Sequence, residues 1–586
     1  MDSAAVIHAS PAVLGDEREA RTRRWVAVNF TAPAPSAGHW VALFSPADFG
    51  KPWHILVLAD LFGGIRVLLQ YMFANASPSF MSSGSGNMSF LLINQRSDYA
   101  FGLFSGGKDN PKLIAVSNKI SFANPKAPVF PRLAQGKEWN EMAVTWTSGY
   151  NINEAYPFVE WRMKGEENSK RTPAGTLTYT RRQLCGKPAN AEGYRDPGFI
   201  HTAFLKDLWP NREYDETSEY RICSHSSVYN PVVTIMSILL FFRYLYQIAH
   251  ELPDGTVVRG KSSSFRASPF PGQDSLQRVV VFGDMGLGQS DGSNELAGFQ
   301  PGAQVTMDRL IKDLPNYDAV FHIGDLSYAN GFLALPRSVG SVHRADRAHR
   351  LQGVVHGGKD TGGFYNGNDS RGECGVPAET YFYVPAEENR GKFWYASDYG
   401  MFRFCVGDTE HDWRPGSEQH AFLERCFASA DRKHQPWLVF AAHRPLGYSS
   451  NDYYAQEGSF AEPMGRALQG LTRAWTTWTG GIRRRRGNSS SSSSYSGTAS
   501  GTIHIVAGTG GAKLRSYAAG PWPQWSVARD ESFGYVKLTA SDHSMLRVEF
   551  IHSDDGAAHD AFTISRDYKD VLACTVDSCA PHTLAS

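Results

Sequence analysis

The sequence predicts an all-β N-terminal half followed by an α/β domain. Three observations lead to this prediction. Short apolar segments broken by Gly, Ser, Pro and Asn fill the first 271 residues, the middle of the chain mixes short apolar runs with helical periodicity, and residues 535–565 return to strand-like alternation. Short alternating segments are typical of β-sandwiches, whereas strands alternating with helices indicate a parallel sheet covered by helices.

Two β-sandwich domains are predicted before residue 271. Apolar positions alternate over short stretches such as 88–93, which is typical of sandwich strands. The Pro-containing segment 124–128 indicates a linker, and an alternating strand at 141–147 opens the second unit. The expected domain boundaries are 1–125 and 126–271.

The next segment combines strand and helix signals. Residues 279–282 and 319–323 are short apolar runs. Between them, apolar residues recur at helical spacing, namely Val305, Leu310, Ile311 and Leu314. This order predicts a β-α-β unit, whose parallel strands are buried on both faces. We expect further strands at 437–442 and 503–507 in an α/β domain spanning 275–510, and β-hairpins in the C-terminal region 511–586.

Two stretches do not fit a domain core. Residues 232–246 are strongly apolar, but the uncharged part, 231–242, is shorter than the roughly twenty residues that a membrane span needs. We therefore expect a buried or misplaced insertion and no stable membrane span, with an anchor over 231–249 as the alternative. The arginine and serine runs within 483–500 predict a disordered surface loop rather than a nucleic-acid site.

Charge and cysteine content narrow the functional classes. The 58 basic and 58 acidic residues balance, which argues against nucleic acid as a partner. Cys574 and Cys579 suit a small terminal disulfide loop, and the pairing of the other cysteines stays open. Five sequons favour secretion and glycosylation, at Asn29, Asn75, Asn87, Asn368 and Asn488. Residues 1–15 lack a signal-peptide pattern, so we expect a truncated leader.

Residues able to bind metal follow the predicted buried strands. Gly-Asp follows each of the first two strands of the α/β segment, giving Asp284 and Asp325, and Tyr328 comes three residues later. His443 follows the strand at 437–442. Because the carboxyl ends of parallel strands line one crevice, we expect these side chains to converge. Carboxylates suit hard cations and imidazole suits zinc, iron and copper, so the set predicts a mixed-metal site.

Each of these residues also has a simpler structural interpretation. Gly-Asp after a strand is commonly a turn or a helix cap. A single tyrosine is commonly a packed aromatic, and a single histidine is commonly hydrogen-bonded in a core. The joint occurrence of all four residues at strand ends, in order, favours the metal site.

Three short motifs resemble the metallophosphoesterase signature, namely GDMG, GDLSYAN and AAHRPLGYSS in that order. The Asp-x-x-Tyr form resembles purple acid phosphatases. Longer strings are similar to the large plant members and their nucleotide pyrophosphatase/phosphodiesterase-like subgroup, among them FRASPFPGQDSLQRVVVFGDMG, RGECGVPAET and FWYASDYGMFRFCVGDTEHDWR. The resemblance covers nearly the whole chain. It implies an αβ-sandwich metallophosphoesterase domain preceded by Fn3-like β-sandwich domains.

The resemblance implies a role for each candidate ligand. Asp284 and Tyr328 would bind a ferric ion, and His443 would bind a divalent partner, which is zinc, manganese or iron in the family. Asp325 would bridge the two ions. Two ions about 3.5–4 Å apart can hold a phosphate ester and stabilise the attacking and leaving oxygens. A bound cation also lowers the pKa of its water, so that hydroxide persists in acid.

Two family motifs are absent from this sequence. The Gly-Asn-His-Glu block would fall in 332–362, which contains no asparagine, and the Gly-His-x-His block would fall in 475–494, which contains no histidine. Four of the seven ligands implied by the resemblance remain, and no catalytic histidine can be assigned. A metal held by fewer protein ligands should bind more weakly. The histidines that could substitute in the first interval are His343, His349 and His356.

The sequence therefore predicts an acid phosphatase that acts on small phosphate monoesters, with weak or absent turnover in this chain. Two alternatives stay open. One is a nucleotide pyrophosphatase/phosphodiesterase, and the other is a catalytically inactive secreted protein that binds a partner or a glycan. A homodimer is an open alternative for the assembly.

Overall fold

The computed structural model describes most of the predicted domains. The described residues are 2, 4–18, 20–47, 68–107, 110–191, 193–210, 243–286, 293, 300–324, 326, 350–353, 372–387, 394–409, 411–443, 503–512, 514, 517 and 528–566. Several predictions fall outside them, namely those on Asp325, Tyr328, His343, His349, His356, Asn368, Asn488, Cys574, Cys579, residues 231–242 and residues 483–500. Among the described residues, none of the helices has the length and apolar character needed to cross a membrane.

The N-terminal unit is a sandwich of two antiparallel sheets. Its elements are β1 (Val6–Ser10), β2 (Val13–Leu14), β3 (Arg23–Thr31), β4 (Trp40–Phe44), β5 (Leu68–Phe73), a 3-10 turn (Ala74–Ala76), α1 (Phe80–Ser83), β6 (Ser85–Ile93), β7 (Ala100–Ser105), β8 (Lys112–Val116) and β9 (Ser121–Phe122). The sheet orders are β1-β3-β6 and β5-β4-β7-β8. Alternate residues of β3, such as Val28 and Phe30, join Phe90 and Phe101 in one core between the sheets. The strand predicted at 88–93 is confirmed within β6.

The second unit is also a two-sheet sandwich. Its elements are β10 (Val129–Gln135), β11 (Met142–Ser148), β12 (Tyr156–Met163), β13 (Lys170–Pro173), β14 (Gly175–Leu177), a 3-10 turn (Arg181–Gln183), β15 (Phe199–Leu205), β16 (Arg243–Glu251), β17 (Val257–Arg259) and β18 (Ser263–Arg266). The orders are β10-β11-β15-β14 and β13-β12-β16-β17, with β18 also on β16. The strand predicted at 141–147 is confirmed as β11.

The end of the apolar stretch 232–246 is part of this sandwich. Residues from Arg243 onward form β16, which pairs along its length with β12. Tyr244 and Tyr246 are buried in the core. For residues 243–246 the prediction of an insertion was therefore wrong, because an aromatic residue at every second position is the pattern of a half-buried strand.

The third unit has four layers, with a helix outside each of two sheets. Its elements are β19 (Gln277–Phe282), α2 (Pro301–Lys312), a 3-10 turn (Leu314–Asn316), β20 (Ala319–His322), β21 (Arg350–Gly353), α3 (Val376–Tyr381), β22 (Tyr395–Tyr399), β23 (Phe402–Val406), α4 (Glu418–Ala428), β24 (Trp437–Ala441), β25 (Gly534–Asp542), β26 (Met545–His552) and β27 (Ala558–Ser565). The sheet orders are β21-β20-β19-β25-β26-β27 and β22-β23-β24.

Alternation along β19 explains why its apolar run is continuous. Val279 faces inward and packs in the core between the two sheets, which also contains Phe404. Val280 and Phe282 face outward and pack with Leu310 of α2. Each face of the strand is thus covered, as expected for parallel strands buried on both sides. The predicted β-α-β unit is confirmed, since β19 and β20 pair in parallel and α2 connects them.

One predicted strand is absent. Residues 503–507 are described without strand structure, although the apolar alternation of Ile503, Ile505 and Ala507 predicted a strand. Both edges of β19 are already paired, one with β20 and the other with β25. A backbone hydrogen bond joins the segment to the residue that follows β19, from Gly283 N–H to the Ala507 carbonyl at 2.8 Å. The predicted hairpins over 535–565 are confirmed as β25, β26 and β27.

Two disulfides and several polar contacts join these layers. Cys185 of the second sandwich pairs with Cys374, just before α3. Cys405 of β23 pairs with Cys426 and fixes α4 to its sheet. Gln135 donates a hydrogen bond from Nε2 to the Asp398 carbonyl at 2.7 Å. The second sandwich is therefore connected to the αβ-sandwich both covalently and by hydrogen bonds.

A pair of buried histidines lies inside the second sandwich. His201 of β15 and His250 of β16 are 1% and 0% exposed, and their ring centroids are 4.7 Å apart. Trp146 donates from Nε1 to His250 Nε2 at 2.9 Å, so the histidine accepts and is neutral there. Burial lowers the pKa of His250 to about 3, and burial together with the neighbouring His250 lowers that of His201 to about 2.

We expect acid to weaken this sandwich through the two histidines. As the pH falls below about 6.5, the unfolded chain takes up protons that the folded chain excludes. Stability is therefore lost between pH 6.5 and the folded-state pKa values of about 2 to 3. From pH 7 to pH 5 the expected loss is about 2 kcal/mol per histidine. Hydrogen exchange of the β11 and β15 amides at both pH values measures it.

A His201→Gln variant isolates the effect of one histidine. It should be less stable than wild type at pH 7, because His201 is hydrogen-bonded to Ser148 and Thr176. On going to pH 5 it should lose about 2 kcal/mol less than wild type. His8→Gln, at an exposed position of β1, is the matched control and should show the full loss. Equal losses in His201→Gln and wild type would contradict this assignment.

Candidate functional site

Asp284 lies at the carboxyl end of β19 in a left-handed backbone conformation, with φ of 56°. Such a conformation is uncommon for residues other than glycine, and Asp and Asn adopt it more readily than most. The backbone is held from two sides. The Asp284 N–H donates to the Gly324 carbonyl at 3.2 Å, and the Asp284 carbonyl accepts from Ala512 N–H at 2.9 Å. These bonds fix the half-buried carboxylate at the end of the strand.

A glycine-containing loop, residues 507–512, covers this strand end. Besides the bonds of Ala507 and Ala512, Gly510 N–H donates to the Gly283 carbonyl at 3.0 Å. A side chain at Gly510 would place its Cβ 2.5 Å from that carbonyl oxygen. At Gly508 the Cβ position is 3.0 Å from Oδ2 of Asp284. The loop therefore approaches Asp284 closely because these positions carry no side chain.

His443 comes from the other sheet and meets the same point. It lies two residues beyond β24, and its ring packs directly over Gly324, where an added Cβ would be 2.2 Å from Cδ2 of His443. Gly324 follows β20 of the six-stranded sheet. The two sheets therefore approach at this end, and Gly324 contacts both Asp284 and His443.

The structure thus brings together the two predicted ligands that lie among its described residues. Asp284 and His443 both adjoin Gly324, which immediately precedes Asp325 in the sequence. Asp325 and Tyr328 lie outside the described residues, so their proposed roles stay predictions. A half-buried carboxylate and a half-buried imidazole that adjoin the same glycine are donor types suited to zinc, iron or copper. The residues present therefore fit a transition-metal centre.

A buried acid–histidine pair at this edge was missed by the sequence analysis. Asp408 is fully buried after β23, and its Oδ2 lies 2.8 Å from Nδ1 of His411. Gln419 of α4 holds the Asp408 backbone, donating from Nε2 to its carbonyl and accepting from its N–H. The available signal was an apolar run followed by Gly407-Asp408, the same pattern that identified Asp284. Because β23 is the parallel neighbour of β24, the pair belongs to the strand ends that include His443.

We expect alanine at Gly324 to destabilise the protein by about 1–3 kcal/mol, because its Cβ would overlap the His443 ring. In a His443→Gly background the ring and its Cβ are gone. The loss of folding stability caused by Gly324→Ala should then be smaller by about 0.5 kcal/mol or more, because residues in contact show a coupling energy of that size. Hydrogen exchange of the β20 amides in the four proteins of this cycle measures the coupling.

Gly255→Ala is the matched control for backbone strain. Gly255 also has a positive φ, of 83°, but nothing lies within 4 Å of its Cβ position. Its substitution should cost the same in both backgrounds. If Gly324→Ala also costs the same with and without the His443 ring, the packing of His443 on Gly324 does not constrain this strand end.

Comparison with known proteins identifies the family. The chain matches the family described as "Fn3-like domain from Purple Acid Phosphatase" over residues 7–124, "Purple acid Phosphatase, N-terminal domain" over 128–237, and "Iron/zinc purple acid phosphatase-like protein C" over 501–561.

Its relatives and a solved structure agree with these matches. It is 50% identical to "Probable inactive purple acid phosphatase 27" of Arabidopsis thaliana over 99% of this chain and 93% of the relative. A "Nucleotide pyrophosphatase/phosphodiesterase" of Hordeum vulgare is 51% identical over 57% of this chain and 95% of that protein. The structure of purple acid phosphatase PPD1 from yellow lupin (Lupinus luteus) seeds superposes with a TM-score of 0.80, at 46% identity, and covers 100% of both chains. The predicted fold class, an αβ-sandwich preceded by Fn3-like β-sandwich domains, is confirmed, and the chain belongs to the plant purple acid phosphatase family.

Proposed function

We propose that this chain is a metal-dependent phosphoesterase that hydrolyses phosphate monoesters in acid. The observation that carries the proposal is the meeting of Asp284 and His443, from two different sheets, at the glycine that precedes Asp325. Convergence of ligands from separate strand ends is the usual arrangement of a binding crevice in α/β folds. Membership of the purple acid phosphatase family supports the same reaction class.

The proposed metal centre uses the four candidate ligands. Asp284, Asp325 and Tyr328 would hold a ferric ion, and Asp325 and His443 a divalent ion such as zinc, manganese or iron. When bound, two such ions supply a charge clamp for the ester and acidify water. A carboxylate pair and a phenolate provide the negative charge that a ferric ion requires, and the neutral imidazole suits the divalent ion.

The protein's own contribution is positioning. The left-handed backbone of Asp284, bonded to Gly324 and Ala512, holds its carboxylate before any ion arrives. The His443 ring is confined by its contact with Gly324. Asp408 orients the ring of His411 through Nδ1, which adds a second ordered imidazole at the same strand ends. Such preorganisation reduces the free-energy cost of assembling the site.

We propose weak turnover for this chain, because the Asn-His and His-x-His ligands of the family are missing from its sequence. The Arabidopsis relative at 50% identity carries "inactive" in its name, which supports the proposal. A protein that binds a partner or a glycan without turnover is therefore the alternative. The barley relative named nucleotide pyrophosphatase/phosphodiesterase, at 51% identity, favours phosphodiesters as a second substrate class.

We also propose that the protein follows the secretory route. Two disulfides occur among the described cysteines, and disulfides persist mainly in oxidising compartments. The sequon residues Asn29, Asn75 and Asn87 are exposed, as glycosylation requires. Treatment of the protein from its native source with a peptide N-glycosidase should lower its mass, and an unchanged mass would contradict glycosylation.

The enzymatic proposal is tested with p-nitrophenyl phosphate at pH 5, with bis-p-nitrophenyl phosphate as the diester probe. The metal-free chain is reconstituted with Fe(III) and Zn(II), and its metal content is measured alongside turnover. We expect close to one iron ion per chain and slow hydrolysis. Asp284→Asn should lower kcat/KM by about 100-fold or more, because it removes a metal ligand.

Tyr328→Phe provides a readout that does not depend on turnover. A phenolate bound to Fe(III) gives a visible charge-transfer band in this family, and the variant should lose that band. Tyr317→Phe is the matched control, because Tyr317 is buried and donates to the Leu310 carbonyl, away from the strand ends. Absence of bound iron and of turnover would reject the phosphoesterase in favour of a binding protein.

A further inference from the structure

A second cluster of metal-binding side chains lies in the C-terminal hairpins. His552 is the last residue of β26, and His559 is the second residue of β27. Asp530 lies shortly before β25. One ligand atom from each of these three residues lies within 4.8 Å of the other two. His552 Nε2 is 2.6 Å from Asp530 Oδ2, and His559 Nε2 is 3.0 Å from Asp555 Oδ2. Three separate segments thus bring nitrogen and oxygen donors close together.

The two imidazole rings are stacked. Their centroids are 3.4 Å apart and their planes differ by 4°. His552 is 8% exposed, whereas His559 is exposed. Two imidazolium charges at this separation would repel each other, so at most one of the rings is protonated. The nitrogen lone pairs lie in two parallel ring planes, so one cation can bind both rings only after the exposed His559 ring rotates. Hydrogen bonding to Asp555 raises the pKa of His559. Protonation of His559, paired with Asp555, therefore competes with metal binding.

The donor set and its spacing suit a transition metal. Zinc lies about 2.0–2.2 Å from imidazole nitrogen and carboxylate oxygen, so tetrahedral ligand atoms are about 3.4 Å apart. The three donor atoms now lie within 4.8 Å of one another and would reach that spacing by side-chain rotation, chiefly of the exposed His559. Two imidazoles with one carboxylate favour zinc, copper or nickel over calcium or magnesium. We propose that Asp530, His552 and His559 form a further binding site for a divalent transition metal, with Asp555 orienting His559.

This site is separate from the centre at Asp284. In the six-stranded sheet, His552 pairs with Gly534 of β25, and β25 pairs with β19. At about 4.8 Å per strand, His552 and His559 are roughly 10 and 14 Å from the end of β19. The inference therefore does not depend on phosphoesterase activity.

The turn that carries the cluster is held in place by α2. Arg309 donates from Nε to the Ser553 carbonyl at 3.1 Å and from Nη2 to the Asp554 carbonyl at 2.7 Å. Thr306 and Ser553 are joined by a hydroxyl–hydroxyl bond of 2.7 Å. The β26–β27 turn is thus ordered before a metal binds, and a bound ion would tie residue 530 to both hairpin strands. With three protein ligands the site would leave the fourth tetrahedral position to water, as open zinc sites do.

The test is zinc binding to the full chain at pH 7.5, measured by equilibrium dialysis and metal analysis. An Asp284→Asn/His443→Gln background weakens the other centre. We expect about one zinc ion per chain in this background, and its loss on adding His559→Gln. Asp555→Asn should weaken zinc binding about tenfold or more, because it frees the ring that it orients. Cobalt(II) should give a visible absorption band that His559→Gln abolishes.

His559 is exposed, so His559→Gln should fold normally, and hydrogen exchange of β26 and β27 checks this directly. His8→Gln, at an exposed position of β1, is the matched control and should retain the zinc ion. Equal zinc content in His559→Gln and His8→Gln would overturn the proposal, as would absence of zinc in the background protein. Either result would assign the cluster to histidine–aspartate pairing alone.

Discussion

The candidate site depends on the close approach of two sheets at a residue without a side chain. At Gly324 the end of β20 lies directly under the His443 ring, at a distance that no Cβ could occupy. The same residue accepts the hydrogen bond that fixes the left-handed backbone of Asp284. The two sheets pack against each other through a hydrophobic core that contains Val279, Phe404 and Trp437. The glycine then allows their ends to come within contact distance.

The αβ-sandwich core was predictable because it follows from local patterns. Continuous apolar runs such as 279–282 predict strands buried on both faces, and the structure places alternate residues of this run in two different cores. The position of Asp284 and His443 at strand ends follows from the same pattern, since parallel strands present their carboxyl ends together. Local sequence therefore indicates which residues reach the site.

Features that depend on distant pairing were not predictable. The Cys185–Cys374 disulfide spans 189 residues, and no local pattern selects this pair from seven cysteines. Residues 503–507 have strand-like alternation, but the sheet offers no free edge beside β19. His552 and His559 are isolated in the sequence, and their stacking depends on the register of β26 and β27. Asp408 is different, because it follows the same strand-Gly-Asp pattern as Asp284 and could have been found.

The proposed metal ligands and the residues that stabilise the fold are separable in this architecture. Val280, Phe282 and Phe404, which hold the layers together, are buried at 0–1% exposure, whereas Asp284 and His443 are half-buried and lie beyond the strands. Burial of apolar side chains dominates folding stability, so the loss of ligands in the connecting segments removes little of what holds the sheets. A chain can therefore keep the purple acid phosphatase fold while losing part of its metal site. For the same reason, loop and turn positions can change to metal-binding residue types without loss of the fold. His552 and His559, at the ends of the C-terminal hairpin strands, are residues of this kind beside the hydrophobic core.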